Sequence, residues 1–429
     1  MLDYSLVFTL LFSAVLVLGV IARFYLTSRQ IRHVARHRDN VPAAFAATIA
    51  LPSHQKAADY TIAKARLGML ETAFGTALLL GWTLLGGLDA LNQALLDSFL
   101  ADYGSLVPQL ALLAAFGVIS GLLDLPFTLY STFRLEERFG FNKMTLKLWL
   151  ADLVKSTLVG AVIGLPIVAL ILWLMGSAGN LWWLWAWAVW MGFNLLALVL
   201  FPTVIAPLFN KFKPLDDEAL KARVTALMQR CGFAANGLFV MDGSKRSAHA
   251  NAYFTGFGAA KRVVFYDTLL KQLNAGEVDA VLAHELGHFK HKHIIKRIVS
   301  MFAMSLVGFA LLGWLSSQVW FYTGLGVQPN LAGANDAQAL LLFLLVVPLF
   351  SFFISPVFAQ FSRKHEFEAD AYAISQTDGR DLQSALLKLY QDNASTLTPD
   401  PLFVKFYYSH PPASERLGRM IPFVESAAP

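Results

Sequence analysis

The sequence predicts a mainly α-helical, polytopic integral membrane protein with seven spanning helices and a cytoplasmic α+β domain built from two segments of the chain. Composition carries the first part of this prediction. Of the 429 residues, 56% are hydrophobic and only 15% are charged, whereas soluble domains average about 25% charged residues. The order of apolar runs and basic residues along the chain carries the second part. The single cysteine, Cys231, excludes an internal disulfide framework and a four-cysteine metal cage.

Seven stretches are long and apolar enough to cross a bilayer, which takes about 20 residues. These predicted spans are Ser5–Ala22, Leu67–Leu88, Leu106–Leu129, Ser156–Met175, Leu181–Pro202, Ile298–Trp320 and Ala339–Ala359. The first has the length of a signal peptide, but Asp3 precedes it and a run of arginines follows it without a small-residue cleavage site. We therefore interpret it as a membrane anchor.

The basic residues predict the orientation of these spans. The alternating segments 1–4, 89–105, 177–180 and 321–338 contain no Lys or Arg. All 34 basic residues lie in the other connections or at the helix ends that face them, and the positive-inside rule makes that set cytoplasmic. We expect the N-terminus outside and the C-terminus inside. The partition argues against one or two runs being buried soluble helices, and it makes the lipid bilayer, not nucleic acid, the partner of the basic charge.

The spans divide the chain into a membrane region 1–202 with spans one to five, a cytoplasmic segment 203–297, spans six and seven in 298–359, and a cytoplasmic segment 360–429. In the first cytoplasmic segment, the sequence pattern predicts a charged helix, three strands and a second helix. Their bounds are Asp216–Arg230 for the first helix, Leu238–Met241, Tyr253–Phe257 and Arg262–Tyr266 for the strands, and Ala275 to about Ile295 for the helix that Asn274 caps.

The second of these helices contains the sequence His284-Glu285-Leu286-Gly287-His288. Histidines four residues apart lie on one helix face, where both imidazoles can bind one Zn²⁺ ion. Glu285 is then placed to take a proton from a water whose pKa the zinc lowers to about 7. Apolar neighbours surround the two histidines, which suits a dry metal site. The motif predicts that the cytoplasmic α+β domain is a zinc metallopeptidase (HExxH) domain.

A catalytic zinc site needs a third protein ligand and one open position. The candidates follow the seventh span, where Glu366 and Asp370 are four residues apart and share a helix face. One can bind the metal while the other orients a ligand histidine. If the Ala275 helix continues into span six, His288 lies about 15 Å from that span and Glu366 about 10 Å from span seven. The two half-sites would then meet just below the membrane face.

Other polar residues near these motifs have a simpler interpretation. His291 and His293 fit a charged helix face near the membrane, and Glu368 fits a solvated acid. His365 could bind a metal, but its neighbours do not share its helix face. Glu71 lies inside the second span, so its carboxylate should face a cavity or hydrogen-bond a partner helix.

Further motifs extend across nearly the whole chain and are more specific than HExxH alone. They are Glu137–Asn142, Pro207–Phe212, Asn251–Gly256, Glu366–Asp370, Ser409–Pro412 and Glu415–Leu417. With these motifs the chain resembles the integral-membrane, zinc-dependent CAAX prenyl endopeptidases of type I. The resemblance implies a barrel of seven helices around a large water-filled chamber, with the zinc site at its cytoplasmic end.

The resemblance also implies the parts of a gluzincin site. His284, His288 and Glu366 would be the ligands of one Zn²⁺ ion per chain, and Glu285 would be the general base. Asp370 would hold one of the histidines without binding the metal. In the family, the cut follows a prenylated cysteine and releases the last three residues of the substrate.

Three more residues gain an implied role from the resemblance. Asn251 would lie on or beside an edge strand that pairs with an extended peptide. His410 would hydrogen-bond the oxyanion that forms during peptide hydrolysis, and Arg416 would position His410 or the substrate backbone. From the residues alone, Asn251 could be a turn residue, His410 a loop histidine and Arg416 a surface charge.

The predicted function is therefore a membrane-embedded zinc endopeptidase that cleaves near the C-terminus of a protein or peptide, prenylated or not. A bacterial inner membrane is the expected location, or the ER membrane in a eukaryote. A bacterium without protein prenylation would use the enzyme on other substrates, such as damaged membrane proteins. A quality-control membrane metalloprotease for non-prenylated substrates is thus the first alternative.

Two further alternatives fit the sequence less well. A site-2-type protease would place HExxH inside a spanning helix, but four basic residues follow the motif closely, namely Lys290, Lys292, Lys296 and Arg297. A non-enzymatic seven-helix transporter would hold its zinc structurally, and structural sites usually have four protein ligands. Only three good ligands and a base are found in this sequence, which favours catalysis.

Overall fold

Helices make up most of the structure, and a small sheet lies in the second half of the chain. The computed structural model describes residues 3–98, 102–233, 237–255, 262–331 and 333–426. The helices of the first half are α1 (Tyr4–His37), α2 (Leu51–Trp82), α3 (Gly87–Leu96), α4 (Leu106–Tyr130), α5 (Leu146–Ser177), α6 (Trp182–Leu200), α7 (Ala206–Phe209) and α8 (Glu218–Arg230). Those of the second half are α9 (Asp267–Gln272), α10 (Ala275–Lys290), α11 (His293–Leu315), α12 (Val319–Thr323), α13 (Asp336–Gln376), α14 (Gly379–Asp392), α15 (Pro401–Tyr407) and α16 (Ala413–Ser426).

Six of the described helices are long and apolar enough to cross a membrane, and there are seven if α2 and α3, which are bent by 48°, are counted as one span. The predicted span Leu67–Leu88 thus contains a helix break near its end. α2 ends at Trp82, and Gly86 adopts a left-handed φ of +79°. Gly87 then packs so closely on the end of α2 that a Cβ there would lie 2.5 Å from the Gly81 carbonyl oxygen.

A four-stranded sheet in the described residues has the order β1-β2-β4-β3. Its strands are β1 (Phe212–Pro214), β2 (Leu238–Met241), β3 (Ala252–Thr255) and β4 (Arg262–Tyr266). β2 and β4 have the predicted bounds and run parallel, whereas both outer pairs are antiparallel. Because β3 stands last in the strand order, it is an edge strand of the described sheet. β3 begins one residue before its prediction, and the predicted residues 256 and 257 lie outside the described ranges. β1 is too short and proline-containing to predict.

α10 carries the HExxH motif and begins at the predicted cap. The Glu277 N–H donates to Asn274 Oδ1 at 2.9 Å, and the Asn274 N–H donates to Glu277 Oε2 at 2.8 Å. The Glu277 carboxylate is buried and also accepts from Ser384 Oγ at 2.6 Å and from Lys388 Nζ at 2.8 Å. This capping box therefore ties the start of α10 to α14.

The end of α10 differs from the predicted helix that reaches about Ile295 and continues into span six. α10 ends at Lys290, Lys292 adopts a left-handed φ of +56°, and α11 begins at His293. The break turns the chain back, so that His293 Nδ1 lies 3.0 Å from His288 Nδ1. The expected distance of about 15 Å from His288 to span six assumed one continuous helix, and this condition is not met.

α13 is a single helix of 41 residues that is about 60 Å long at 1.5 Å per residue. It carries the seventh span and the run Glu366–Asp370 on one helix, with Pro348 and Pro356 inside it. α10 crosses α13 closely at Gly287, where a Cβ would lie 2.9 Å from Ala369 Cα and 3.0 Å from its carbonyl oxygen. A direct helix–helix contact thus brings the two halves of the predicted metal site together.

Two large buried apolar clusters stabilise the described residues. One joins the sheet to α8, α10, α14 and α16 and contains Phe265 and Leu282. The other joins the spanning helices to α12 and contains Phe12 and Leu112. Glu71 on α2 is exposed and forms no hydrogen bond or ion pair among the described residues. The helix–helix hydrogen bond considered for Glu71 is thus not seen there, and a cavity stays its expected surrounding.

Candidate metal centre

Three predicted ligands meet where α10 crosses α13. His284 Nε2 and His288 Nε2 lie 3.3 Å apart. Glu366 Oε2 lies 3.4 Å from His284 Nε2, and Glu366 Oε1 lies 3.3 Å from His288 Nε2. A tetrahedral zinc ion with bonds of about 2.0–2.1 Å places its ligand atoms roughly 3.3–3.4 Å apart. The two imidazoles have this spacing, and a different oxygen of Glu366 has it to each of them, so the three side chains converge closely enough to bind one Zn²⁺ ion.

The burial of Glu366 gives a second test of the fit to a cation. Glu366 is 4% exposed, and its Oε2 forms no hydrogen bond within the described residues. Burial of a carboxylate oxygen without a hydrogen bond costs free energy, and a divalent ion between this oxygen and the two histidines would offset that cost. Two imidazoles and one carboxylate also form the donor set of catalytic zinc sites with one open position. The residues present thus fit a zinc ion.

Asp370 holds His284 from the side away from His288. Asp370 Oδ1 lies 2.8 Å from His284 Nδ1. Burial alone would lower the pKa of His284, but its hydrogen bonds with Asp370 and Glu366 outweigh burial and raise that pKa to about 9. A metal ion therefore competes with a proton for this imidazole.

Arg416 lies beside the metal ligands. It is 6% exposed and so is not a surface charge. Its guanidinium donates to both oxygens of Asp370, at 2.8 Å and 2.5 Å, and lies 3.4 Å from His284 Nδ1, rather than contacting His410 within the described residues. A guanidinium that forks onto a carboxylate forms a strong bidentate pair. Arg416 therefore fixes the carboxylate that holds His284.

His410 lies on the open side of the three ligands. Its Nε2 is 3.4 Å from Glu366 Oε1, and its side chain is 65% exposed. It also lines an open cavity of about 600 Å³ whose other walls include Tyr60, Lys64, His249 and Asn393. A side chain in this place can reach a molecule that binds beside the metal ligands.

Glu285 and Asn251 take no part in the hydrogen bonds of the three ligands among the described residues. Glu285 follows His284 on α10, is half-buried, and forms no hydrogen bond or ion pair among the described residues. Asn251 is exposed and directly precedes the edge strand β3, where its Oδ1 accepts from the Ala252 N–H at 2.8 Å. The structure thus places Asn251 beside an edge strand, where the resemblance expects it.

Sequence reasoning missed a set of contacts behind His288. His293 is 5% exposed, so its assignment to a charged surface face is wrong, whereas His291 is exposed. His293 Nε2 lies 2.8 Å from Glu368 Oε2, so the interpretation of Glu368 as a solvated acid is wrong as well. The ring of His365 stacks on His293 with centroids 3.9 Å apart. The spacing of five residues between His288 and His293 becomes informative only because the helix breaks between them.

An HExxH helix that packs against a long, apolar, glutamate-bearing helix defines a membrane-embedded metallopeptidase. Residues 30–211 match the family model of the CAAX prenyl protease N-terminal region with five membrane helices, and residues 214–420 match the model of peptidase family M48. The chain belongs to peptidase family M48, in which it is a multi-pass membrane metalloendopeptidase of the CAAX prenyl protease type.

The similarity to known relatives covers most of the chain. The CAAX prenyl protease 1 homolog of Arabidopsis thaliana is 40% identical over 72% of this chain and 72% of its own length. CAAX prenyl protease 1 of Saccharomyces cerevisiae is 33% identical over 92% of this chain and 90% of its own. The crystal structure of S. mikatae Ste24p matches with a TM-score of 0.89 at 31% identity, covering 98% of this chain and 99% of that one. The predicted family, membrane fold and enzyme class are confirmed, so the transporter and site-2-type alternatives are not retained.

Proposed function

We propose that this chain is a zinc endopeptidase that cleaves proteins or peptides near the C-terminus, with prenylated C-termini as its substrate class. One observation carries the proposal, the convergence of His284, His288 and Glu366. The two histidine Nε2 atoms lie 3.3 Å apart, and each lies 3.3 to 3.4 Å from one oxygen of Glu366. A preformed set of three ligands beside an open cavity is the arrangement of a catalytic zinc site, whereas structural sites are closed by a fourth ligand.

His284, His288 and Glu366 would hold one Zn²⁺ ion per chain, and Asp370 would orient His284. When bound, the ion supplies Lewis acidity that acidifies water and polarises a peptide carbonyl. Glu285 is half-buried and has no competing partner among the described residues. Its carboxylate is therefore free to take a proton from the attacking water and to pass it to the leaving amine.

His410 would stabilise the negative charge that develops on the carbonyl oxygen. Its Nε2 lies 3.4 Å from Glu366, and its exposed ring borders the open cavity beside the ligands. A donor that is already in place costs little reorganisation when the charge develops. Arg416 would act indirectly, because its guanidinium holds Asp370 rather than the substrate.

The edge strand β3 would bind an extended substrate by strand addition. One edge of β3 pairs with β4 and the other has no partner strand in the described sheet. Unpaired backbone N–H and C=O groups on such an edge can hydrogen-bond a peptide. β3 contacts α10, and Asn251 stands at its start, so a peptide on this edge would run along the helix that bears the metal ligands.

Prenylated substrates are proposed from the relatives, which are named CAAX prenyl proteases. We further propose that the N-terminus lies outside and that the C-terminus and the zinc site lie on the cytoplasmic side. The one-sided distribution of all 34 Lys and Arg residues supports this orientation. The membrane would be a bacterial inner membrane, or the ER membrane if the source is eukaryotic.

The decisive experiment compares a farnesylated peptide with its unfarnesylated twin, with and without a chelator, for the wild type and Glu285→Gln. We expect chelator-sensitive cleavage of the farnesylated peptide and slower cleavage of its twin. Glu285→Gln should cleave neither while it keeps one zinc per chain, because the amide has the size of the carboxylate but cannot take a proton. Chelator-insensitive turnover or full activity of Glu285→Gln would contradict the mechanism. Equal cleavage of both peptides would replace prenyl specificity by the quality-control function.

A further inference from the structure

His288 is held from behind by two further side chains. Its Nδ1, the nitrogen opposite the Nε2 that faces the other ligands, lies 3.0 Å from His293 Nδ1, and His293 Nε2 lies 2.8 Å from Glu368 Oε2. His293 is 5% exposed, so water hardly competes for these contacts. We propose that His293 and Glu368 are positioning residues that fix the tautomer and orientation of His288, a role that rests on the zinc site proposed above.

The protons of this relay follow from its metal end. A histidine that offers Nε2 to a metal carries its proton on Nδ1, so His288 donates and His293 accepts through their Nδ1 atoms. A neutral imidazole has one N–H group, which in His293 must then be on Nε2, where it is donated to Glu368. Each donor and acceptor along the relay is used once. The negative charge of Glu368 thereby makes His288 a more basic ligand through the intervening ring.

The two metal-binding histidines are therefore oriented in different ways. His284 contacts the carboxylate of Asp370 directly at 2.8 Å, whereas His288 reaches the carboxylate of Glu368 through His293. The break between α10 and α11 makes the longer relay possible, because it returns the first residue of α11 to the face of α10 that bears His288. In one continuous helix, residues five apart would not share a face.

A second metal site is the competing explanation of this cluster. His293, His365 and Glu368 offer ligand atoms that lie within 4.8 Å of one another. The proton assignment argues against a metal there while the first site is loaded. An ion on His293 Nε2 would leave the ring proton on Nδ1, where it would face the Nδ1 proton of His288 across 3.0 Å. His365 instead supports His293 by stacking at an interplanar angle of 15°.

The experiment measures the dissociation constant of zinc for the full chain in detergent by competition with a chromophoric chelator, and zinc per chain by elemental analysis. His293→Phe keeps a flat ring on His365 but removes both nitrogens. We expect its dissociation constant to rise about 10–100-fold, as is usual when the partner of a metal-binding histidine is lost. Glu368→Gln should lose less zinc affinity than His293→Phe, because its amide oxygen still accepts a hydrogen bond from His293. His293→Asn returns an acceptor for His288 and should recover part of the affinity.

His365→Phe is the matched control, because it keeps the stacked ring and its nitrogens take no part in the relay. We expect this variant to bind one zinc with wild-type affinity. Unchanged zinc affinity in Glu368→Gln together with His293→Phe would overturn the relay. If His293→Phe does not fold, an unchanged zinc affinity of Glu368→Gln is by itself enough to overturn the relay. Two zinc ions in the wild type, one of which His365→Phe loses, would establish a second metal site instead.

Zinc binding is measured without substrate, so the relay and the proposed function fail separately. A wild type that binds one zinc tightly but cleaves neither test peptide contradicts the function, while the zinc affinities of the variants still decide the relay. Conversely, chelator-sensitive cleavage by the wild type together with unchanged zinc affinity in the relay variants keeps the function and removes the relay.

Discussion

At the scale of single residues, the site depends on a glycine that binds nothing. Gly287 stands between the two motif histidines, where α10 touches α13, and a Cβ there would lie 2.9 Å from Ala369 Cα. The neighbouring atoms belong to the backbone of α13, so they cannot move aside as a flexible side chain would. A larger residue must therefore push the two helices apart, and this motion separates His284 and His288 from Glu366.

We expect Gly287→Ala to weaken zinc binding. An overpacking cost of about 1–3 kcal/mol, if it falls on the ligand geometry, corresponds to a loss of affinity of roughly 5–150-fold at 1.4 kcal/mol per tenfold. Zinc titration against a chelator measures this loss. Gly418→Ala on α16 is the control, because no atom lies within 4 Å of the added Cβ. Equal zinc affinity of the two variants would show that the α10–α13 contact does not set the ligand spacing.

Arg416 is the second residue that acts on the site through another side chain. It donates two hydrogen bonds to the buried Asp370, and a buried ion pair that loses one partner costs about 3–5 kcal/mol. Arg416→Ala should therefore lower the thermal unfolding midpoint strongly, and Arg416→Lys should lower it less, because lysine keeps the charge without the fork. Arg419→Ala on the same helix is the control. Among the described residues, it removes the stacking contact with Phe367 and no ion pair, so a similar midpoint for both alanine variants would contradict the role of the buried pair.

At the scale of elements, the start of α10 is a pH-sensitive connection. Burial alone would raise the pKa of Glu277. Hydrogen bonds from Lys388, Ser384 and the Asn274 backbone outweigh burial, so that the pKa lies below its usual value. A carboxylate with a lowered folded-state pKa stabilises the fold above its unfolded-state pKa of about 4.3, and this contribution is lost as the pH falls through the folded-state value.

We expect Glu277→Gln to be less stable than the wild type at neutral pH by about 1 kcal/mol, because the amide can still cap the helix but loses the charge that strengthens the hydrogen bond from Lys388. The difference should shrink as the pH falls below about 4.3, because the wild-type carboxylate then becomes neutral as well. Thermal unfolding from pH 7 down to about pH 2, well below the unfolded-state pKa of about 4.3, measures both effects. Glu218→Gln at the start of α8 is the control, because this carboxylate is 79% exposed in its pair with Lys221 and exposed pairs contribute little. A pH-independent difference for Glu277→Gln would contradict the linkage.

The elements also show what the sequence could predict and what it could not. The spans, the capped start of α10 and the sharing of a face by Glu366 and Asp370 follow from local periodicity, and the structure has them. The end of α10 does not follow from local periodicity. Lys292 adopts a left-handed conformation, but the residues before it would continue a helix equally well. The buried role of His293 depends on that break and on Glu368, which is 75 residues away. Contacts between distant segments leave no periodic signal in one sequence.

At the scale of the whole molecule, α13 connects the seventh span to the candidate metal centre. One helix carries the span and Glu366, although Pro348 and Pro356 lie inside it. The orientation of this helix therefore decides on which side of the membrane the candidate metal centre lies. The basic residues predict that the end with Glu366 is cytoplasmic.

Labelling of single cysteines tests this orientation. In a Cys231→Ser background, Lys221→Cys precedes span six, Leu331→Cys lies between spans six and seven, and Arg380→Cys follows span seven. All three positions are exposed. A membrane-impermeant maleimide should label position 331 in intact cells and should label positions 221 and 380 only after permeabilisation. The unlabelled background protein is the control. Labelling of 221 and 380 in intact cells would reverse the orientation, and equal labelling of all three would remove the two spans between them. With the predicted pattern, the metal centre at the end of α13 faces the cytoplasm, where newly made substrate C-termini are accessible.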